Sequence, residues 1–158
     1  MTIDSAVNAA VQAARAESFD FVFLAISYSV YLLAAICIFY IYKESVNKLI
    51  SFLIGGGLLF VLTALVKEIV SRPRPDLSNG FSFPSRHAAF AFFLAASLPL
   101  QFKWRFLVYV WAVLIVFSRL WLNVHWFSDI LFGAGIGFII AFIFKNEKIN
   151  KLTEKLVA

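Results

Sequence analysis

Five apolar runs separated by short polar stretches set the pattern of this chain. Phe21 to Tyr42 is 22 residues without a charge, and Leu49 to Val66 is a further 18. A helix needs about 20 apolar residues to cross the hydrocarbon of a bilayer. Ala88 to Phe102 reaches that length if its helix begins near Ser85, and Phe106 to Phe117 does so with its flanks, Lys103 to Ser118. Phe127 to Phe144 is the fifth run, interrupted only by Asp129. In lipid every backbone N–H and C=O must be satisfied within its own segment, and no run alternates with the period of a strand. The pattern predicts an all-α fold, a multi-pass transmembrane helical bundle of about five spans.

The two ends differ from the middle. Within residues 1–19, Ile3, Val7, Val11 and Ala14 recur at helical spacing, with Asp4, Asn8, Gln12 and Arg15 between them. That spacing predicts an amphipathic helix lying in the membrane interface. It lacks the basic start and apolar centre of a secretory leader. Residues 20–144 then form the transmembrane core, and 145–158 a polar tail with Lys145, Lys148, Lys151 and Lys155. No repeat or linker divides the chain, so a single membrane-embedded domain is expected.

Composition agrees with this solvent. Hydrophobic residues make up 62% of the 158 and charged residues 15%, with a mean hydropathy of +0.87. A soluble globular domain carries about a quarter charged residues, so both a soluble domain and a disordered chain are excluded. The single Cys37 excludes a disulfide framework and a cysteine zinc site, and its apolar run makes it a small buried hydrophobe.

The net charge of +5 changes meaning once it is placed. With five spans, one side holds Lys43, Lys48, Lys103, Arg105 and the tail lysines, eight basic residues against three acidic ones. The other side holds six basic and six acidic residues, a net of zero. The positive-inside rule puts the tail in the cytoplasm and the long loop 67–86 outside. The charge therefore orients the protein, nucleic acid is not an expected partner, and membrane lipids are. The oligomeric state stays open.

Five of the six outer basic residues fall in two stretches that also contain both histidines. One runs from Lys67 through Arg72, Arg74 and Pro75 to Pro84-Ser85-Arg86-His87; the other is Ser118-Arg119 followed by His125 and Asp129. Single basic residues at helix ends commonly reach for lipid headgroups. Five cations converging with two histidines and a carboxylate call for a ligand instead, since ionisable groups at membrane depth mark function. His125 and Asp129, four apart, share a helical face, so the carboxylate can orient the imidazole. Ser85 is suited to cap a helix whose first turn holds His87, and free N–H groups at a helix N-terminus bind phosphate. Packed together, Lys67, Arg74, Arg86 and Arg119 would repel one another unless a multiply charged anion sat among them, and guanidinium groups match phosphate oxygens. Arg72 reads as a solvated neighbour. No carboxylate cluster is present for magnesium or calcium and only two histidines for zinc, so no metal or cofactor is expected.

These stretches resemble the signature of the type 2 phosphatidic acid phosphatase superfamily: Lys-x6-Arg-Pro, Pro-Ser-Gly-His and Ser-Arg-x5-His-x3-Asp. Lys67, Arg74 and Pro75 match the first element, and Ser118, Arg119, His125 and Asp129 the third. Pro84-Ser85-Arg86-His87 matches the second, with Arg86 where the family usually has glycine. The match covers Lys67 to Asp129, 63 of 158 residues. The resemblance implies metal-free phosphoryl transfer on a lipid phosphate, as in the small bacterial or archaeal polyprenyl diphosphate and phosphatidylglycerophosphate phosphatases. It implies His125 as nucleophile forming a phosphohistidine, Asp129 as its orienting group and His87 as the acid that protonates the leaving oxygen. Lys67, Arg74, Ser85 and Arg119 would hold the phosphate, with Pro75, Pro84 and Ser118 supporting them. Arg86 is expected to meet the second phosphate of a diphosphate, which favours a polyprenyl diphosphate over phosphatidylglycerophosphate or phosphatidic acid. A non-catalytic lipid-phosphate binder or transporter would use the same cradle. A vanadium-dependent haloperoxidase shares the motif, but on larger soluble proteins.

Overall fold

The computed structural model describes residues 2–99, 103–146 and 149. Lys148, Lys151 and Lys155 of the predicted tail lie outside the described residues. The order is α1 (Ile3–Ala14), a 3-10 turn (Glu17–Phe19), α2 (Asp20–Tyr28), α3 (Val30–Glu44), α4 (Val46–Val70), α5 (Arg86–Ser97), α6 (Arg105–Trp121) and α7 (Phe127–Phe144). Among the described residues there is no strand, only an isolated bridge between Pro73 and Phe81. The fold is an all-α membrane bundle.

Three segments are long and apolar enough to cross a bilayer: Glu17–Glu44, Val46–Val70 and Phe127–Phe144. The first joins the turn, α2 and α3, because the Ser29 N–H still bonds the carbonyls of Ala25 and Ile26. With 12 and 17 residues, α5 and α6 are only about 18 and 26 Å long. The predicted count of five is therefore met by length in three segments, and two shorter helices complete the bundle. Large apolar side chains such as Phe21, Leu65, Phe106 and Phe142 lie on the outside, as a lipid-facing surface requires.

Helix ends follow local chemistry. Thr2 caps α1 by accepting from the Ser5 N–H, and Ser85 caps α5 by accepting from the Ala88 N–H at 3.4 Å. Ser71 ends α4 at φ 47°, a left-handed conformation that returns its N–H to the Lys67 carbonyl. Asn123 turns the chain after α6 in the same way, at φ 56°. Lys145 Nζ donates to the carbonyls of Ala96 and Leu98 at the far end of α5.

The packing that positions the site is that of α5 against α7, the most extensive helix pair in the bundle. A Cβ at Gly137 would overlap the Ala89 carbonyl oxygen, and one at Gly133 would come within 2.5 Å of the Ser85 oxygen. Gly135, between them, meets nothing within 4 Å. The Gly133/Gly137 pair is thus an internal contact that brings two backbones together. The Ser85 N–H also donates to the Asp129 carbonyl at 3.0 Å, locking the starts of α5 and α7.

The structure adds a protein contact to the amphipathic helix that the sequence predicts at α1. The helix does not lie with its polar face in water. Asn8 is buried at 4% exposure while Ile3 is 77% exposed. Asn8 donates to the His125 carbonyl at 3.0 Å, and Gln12 to the carbonyls of Leu120 and Trp121. Val7 and Val11 pack beside that stripe against Ala88, Leu120 and Ile130. On this polar stripe Asn8 and Gln12 donate to main-chain carbonyls, while Asp4 accepts from Ser128 and Arg72.

Gly137→Ala should force α5 and α7 apart and cost about 3 kcal/mol. Gly135→Ala should leave stability unchanged or raise it by up to about 1 kcal/mol. Thermal unfolding of the two variants in the same detergent checks the difference, and equal melting points would contradict it.

Candidate active site

Four helix ends meet at one pole of the bundle. Lys67 stands in the last turn of α4 and Arg119 in the last turn of α6; Ser85, Arg86 and His87 open α5, and Asp129 lies in the first turn of α7. Between α4 and α5 the loop folds back on itself, with the Ser82 N–H donating to the Arg72 carbonyl at 2.8 Å. The Phe83–Pro84 peptide is cis, and Pro84 is fully buried. This fold-back places Arg74 beside the helix ends.

The cavity there has a volume of about 450 Å³, and its polar lining is Lys67, Arg74, Arg86, His87, Arg119 and His125. The rest of the lining is Val30, Tyr31, Ala34, Phe60, Phe90 and Leu94. Among the described residues no Asp or Glu lines it. The cations are held by neutral groups. Lys67 Nζ donates to the carbonyls of Phe81 at 2.7 Å and Ser82 at 3.2 Å, and Arg119 Nη1 donates to Ser27 Oγ at 2.6 Å. The Arg86 guanidinium stands 5.6 Å from the centre of the Phe60 ring. The Nε atoms of Arg74 and Arg119 are buried without a hydrogen-bond partner. Buried polar groups are ordinarily satisfied, so orphaned donors on two cations suit an anion with several oxygens.

His125 is 3% exposed and Asp129 fully buried. Asp129 Oδ2 accepts from the Trp126 N–H at 2.8 Å and lies 3.7 Å from His125 Nδ1, an approach still longer than a hydrogen bond. Such contacts are often loose before substrate binds. With Nδ1 on the carboxylate side, Nε2 is the nitrogen left for chemistry. Burial first, and then the nearby Arg119 and Lys67, push the imidazole down to about 4 against the pull of Asp129. That direction favours the uncharged ring.

Not every predicted residue lines the cavity. Ser85 is buried, with its hydroxyl oxygen accepting the cap bond of α5, and Ser118 Oγ donates to the Ile115 carbonyl within its own helix. Pro75 is half-buried in the loop. Asp129 sits behind His125. Among the described residues no three His, Cys, Asp or Glu side chains gather into a metal-sized group.

With the geometry in place, kinship can be weighed. A family model of the PAP2 superfamily matches residues 24–148. The chain belongs to the PAP2 superfamily. Phosphatidylglycerophosphatase B of Bacillus subtilis (strain 168) is 33% identical over 135 residues, 73% of this chain and 66% of that protein. A lipid A 4'-phosphatase of Bacteroides thetaiotaomicron is 40% identical over 81 residues, 49% of this chain and 36% of that protein. The chain thus spans less than two-thirds of the length of these curated relatives. The crystal structure of a transmembrane PAP2-type phosphatidylglycerolphosphate phosphatase from Bacillus subtilis superposes with a TM-score of 0.72 at 27% identity, over 90% of this chain and 82% of that one. That of Aquifex aeolicus LpxE gives 0.78 at 25% identity, over 91% and 95%.

Around this PAP2 core the structure adds residues that motif reading missed. Arg72 is not a solvated neighbour: its Nη1 donates to Asp129 Oδ1 at 2.8 Å and its Nη2 to Asp4 Oδ2 at 2.7 Å. Asp4, Asn8, Ser27 and Ser128 also reach the site or its supports. The one sequence signal for the first two was their four-residue spacing on α1.

Ser27 is the only hydrogen-bond partner found for the Arg119 guanidinium among the described residues. Removing a bond to a charged group costs about 1.5 kcal/mol or more. Ser27→Ala should therefore weaken binding of inorganic phosphate about tenfold. Calorimetric titration in detergent measures this, and an unchanged affinity would mean that Arg119 needs no such support.

Proposed function

We propose that this PAP2 protein is a lipid phosphatase acting by metal-independent phosphoryl transfer through a phosphohistidine. The observation that carries the reading is the make-up of the cavity wall: among the described residues, four cations and two histidines without a carboxylate, together with five apolar side chains and Tyr31. A free anion would use only the polar part of that lining. A phosphate on a long hydrocarbon tail uses both parts.

In the proposed reaction the phosphoryl group rests among Lys67, Arg74 and Arg119, whose donors stabilise the charge spread over its oxygens in the transition state. His125 Nε2 attacks phosphorus; the N–P bond forms as the P–O bond to the lipid breaks. His87, at the start of α5, gives the leaving oxygen its proton. It then takes a proton from water as that water attacks phosphorus, releasing phosphate and restoring His125. The buried Asp129 steadies the imidazole while it carries positive charge. The Ser85 hydroxyl, held as a cap, contributes by fixing the helix start that carries His87.

For the lipid, Arg86 favours a diphosphate such as a polyprenyl diphosphate, cleaved to monophosphate and phosphate. It adds a fourth cation to the wall at a position where the family's motif has none. Phosphatidylglycerophosphate is the second reading, favoured by the names of the relative and the crystal structure from Bacillus subtilis. The distribution of basic residues supports a site on the extracytoplasmic face with the C-terminus in the cytoplasm, and supports five spans if α5 and α6 cross with their flanks.

A panel of lipid phosphates tested for phosphate release in EDTA decides the class. Turnover without added metal, abolished in a folded His125→Ala variant, is the expected result. A strict need for a divalent cation would overturn the mechanism, and binding without release from any lipid would point to a carrier. Arg86→Gly should lower kcat/KM for the diphosphate about tenfold while leaving phosphatidylglycerophosphate turnover within about threefold. An equal effect on both would remove the diphosphate assignment.

A further inference from the structure

Outside the cavity, on the far side of His125, a second polar network is built from three parts of the chain distant in sequence. Arg72, in the loop after α4, donates through Nη1 to Asp129 Oδ1 at 2.8 Å and to Ser128 Oγ at 2.7 Å, and through Nη2 to Asp4 Oδ2 at 2.7 Å. Asp4, in the first turn of α1, also accepts from the Ser128 N–H at 2.7 Å and from Ser128 Oγ at 2.7 Å. The Arg72 guanidinium lies 5.3 Å from the centre of the Trp126 ring, whose Nε1 donates to the Pro73 carbonyl. One helical turn along α1, Asn8 Nδ2 donates to the His125 carbonyl at 3.0 Å.

A fully buried carboxylate is costly unless it is paired and its lone pairs are filled. Arg72 is the cation that pairs with Asp129. By taking Oδ1 it leaves Oδ2 for the Trp126 N–H and for the His125 ring. Arg72 would swing freely if it had one partner only. Asp4 and Ser128 give it two more, and Asp4 is itself held below the usual carboxylate value: burial opposes this, but the bonds from Arg72 and Ser128 outweigh it. Asn8 fixes the same histidine by its main chain.

We propose that Arg72 and Asp4 are positioning residues for the His125–Asp129 pair, which makes α1 a working part of the active site and not a lipid anchor. The inference rests on the reading of His125 as the nucleophile. Neither residue lines the cavity, so each acts through Asp129 and not on the substrate. Their loss must then appear in the chemical step and leave binding almost untouched.

The experiment compares Arg72→Gln, Arg72→Lys, Asp4→Asn, the Asp4→Asn/Arg72→Gln double variant and His125→Ala. Phosphate release from a lipid phosphate in detergent is followed at varied substrate, with thermal unfolding alongside. A misplacement of the nucleophile costs about a hundredfold. Arg72→Gln should therefore lower kcat about a hundredfold with KM within about twofold, and Arg72→Lys should restore part of it. Asp4→Asn should lower kcat about tenfold. In the double variant it should add nothing further, since both residues act along one path. Should Arg72→Gln fail to fold, Asp4→Asn and Arg72→Lys decide the matter. Wild-type kcat in folded Arg72→Gln and Asp4→Asn, or a rise in KM alone, would overturn the proposal. If His125→Ala still releases phosphate, the nucleophile reading itself falls. If it is inactive while the other variants match wild type, only the positioning role is lost.

Discussion

Everything at the active pole depends on one buried carboxylate. Asp129 has no exposed surface, and an unpaired charge in such a place would be neutralised or would drive the helices apart. Each of its polar atoms is committed to a different element. The side chain takes the Trp126 N–H at the start of its own helix and the Arg72 guanidinium of the loop after α4, while the main-chain oxygen takes the Ser85 N–H of α5. Its second oxygen faces the His125 ring. The carboxylate beside His125 is therefore also the joint between two helix starts. The geometry of the His125–Asp129 pair and the closure of the bundle are set by the same contacts.

That joint is possible only because Gly133 and Gly137 let α7 approach the backbone of α5. A side chain at Gly133 would meet the Ser85 oxygen, one residue-length from the His87 turn. Packing and chemistry are thus coupled through a few ångströms of backbone. Small residues along a membrane helix usually matter for association; here the association is between α5, which carries His87, and α7, whose first turn carries Asp129.

Much of this was legible in the sequence, for physical reasons that also mark the limit. The apolar runs had to be helices, and cations at their ends had to face the interior, so Lys67, Arg74, His87, Arg119 and His125 could be grouped by their positions along the chain. Their supports could not. Arg72 finds Asp4 across 68 positions, Arg119 finds Ser27 across 92, and Asn8 finds His125 across 117. Periodicity shows which residues share a face of α1, but not which face is buried. The polar face is covered there because the surface beneath offers the carbonyls of Leu120, Trp121 and His125 to the side-chain amides of Asn8 and Gln12. For Ser85 the sequence predicts a helix cap, and the structure has its hydroxyl accepting from the Ala88 N–H at the start of α5.

The cations show why so few charges suffice in an apolar protein. Lys67 and Arg119 stand in the last turns of α4 and α6, where the helix dipole favours positive charge, and Asp129 stands in the first turn of α7, where it favours negative charge. Main-chain carbonyls hold Lys67 and a serine hydroxyl holds Arg119. Had acidic side chains done this work, an arriving phosphate would have to compete with them, and much of its binding would go into breaking ion pairs. Dipoles hold the cations in place without neutralising them. The one carboxylate beside His125 is paired with Arg72, and neither of the two lines the cavity. A membrane protein that separates its ionised groups in this way keeps its positive potential for an anion, in a cavity whose remaining lining is largely apolar.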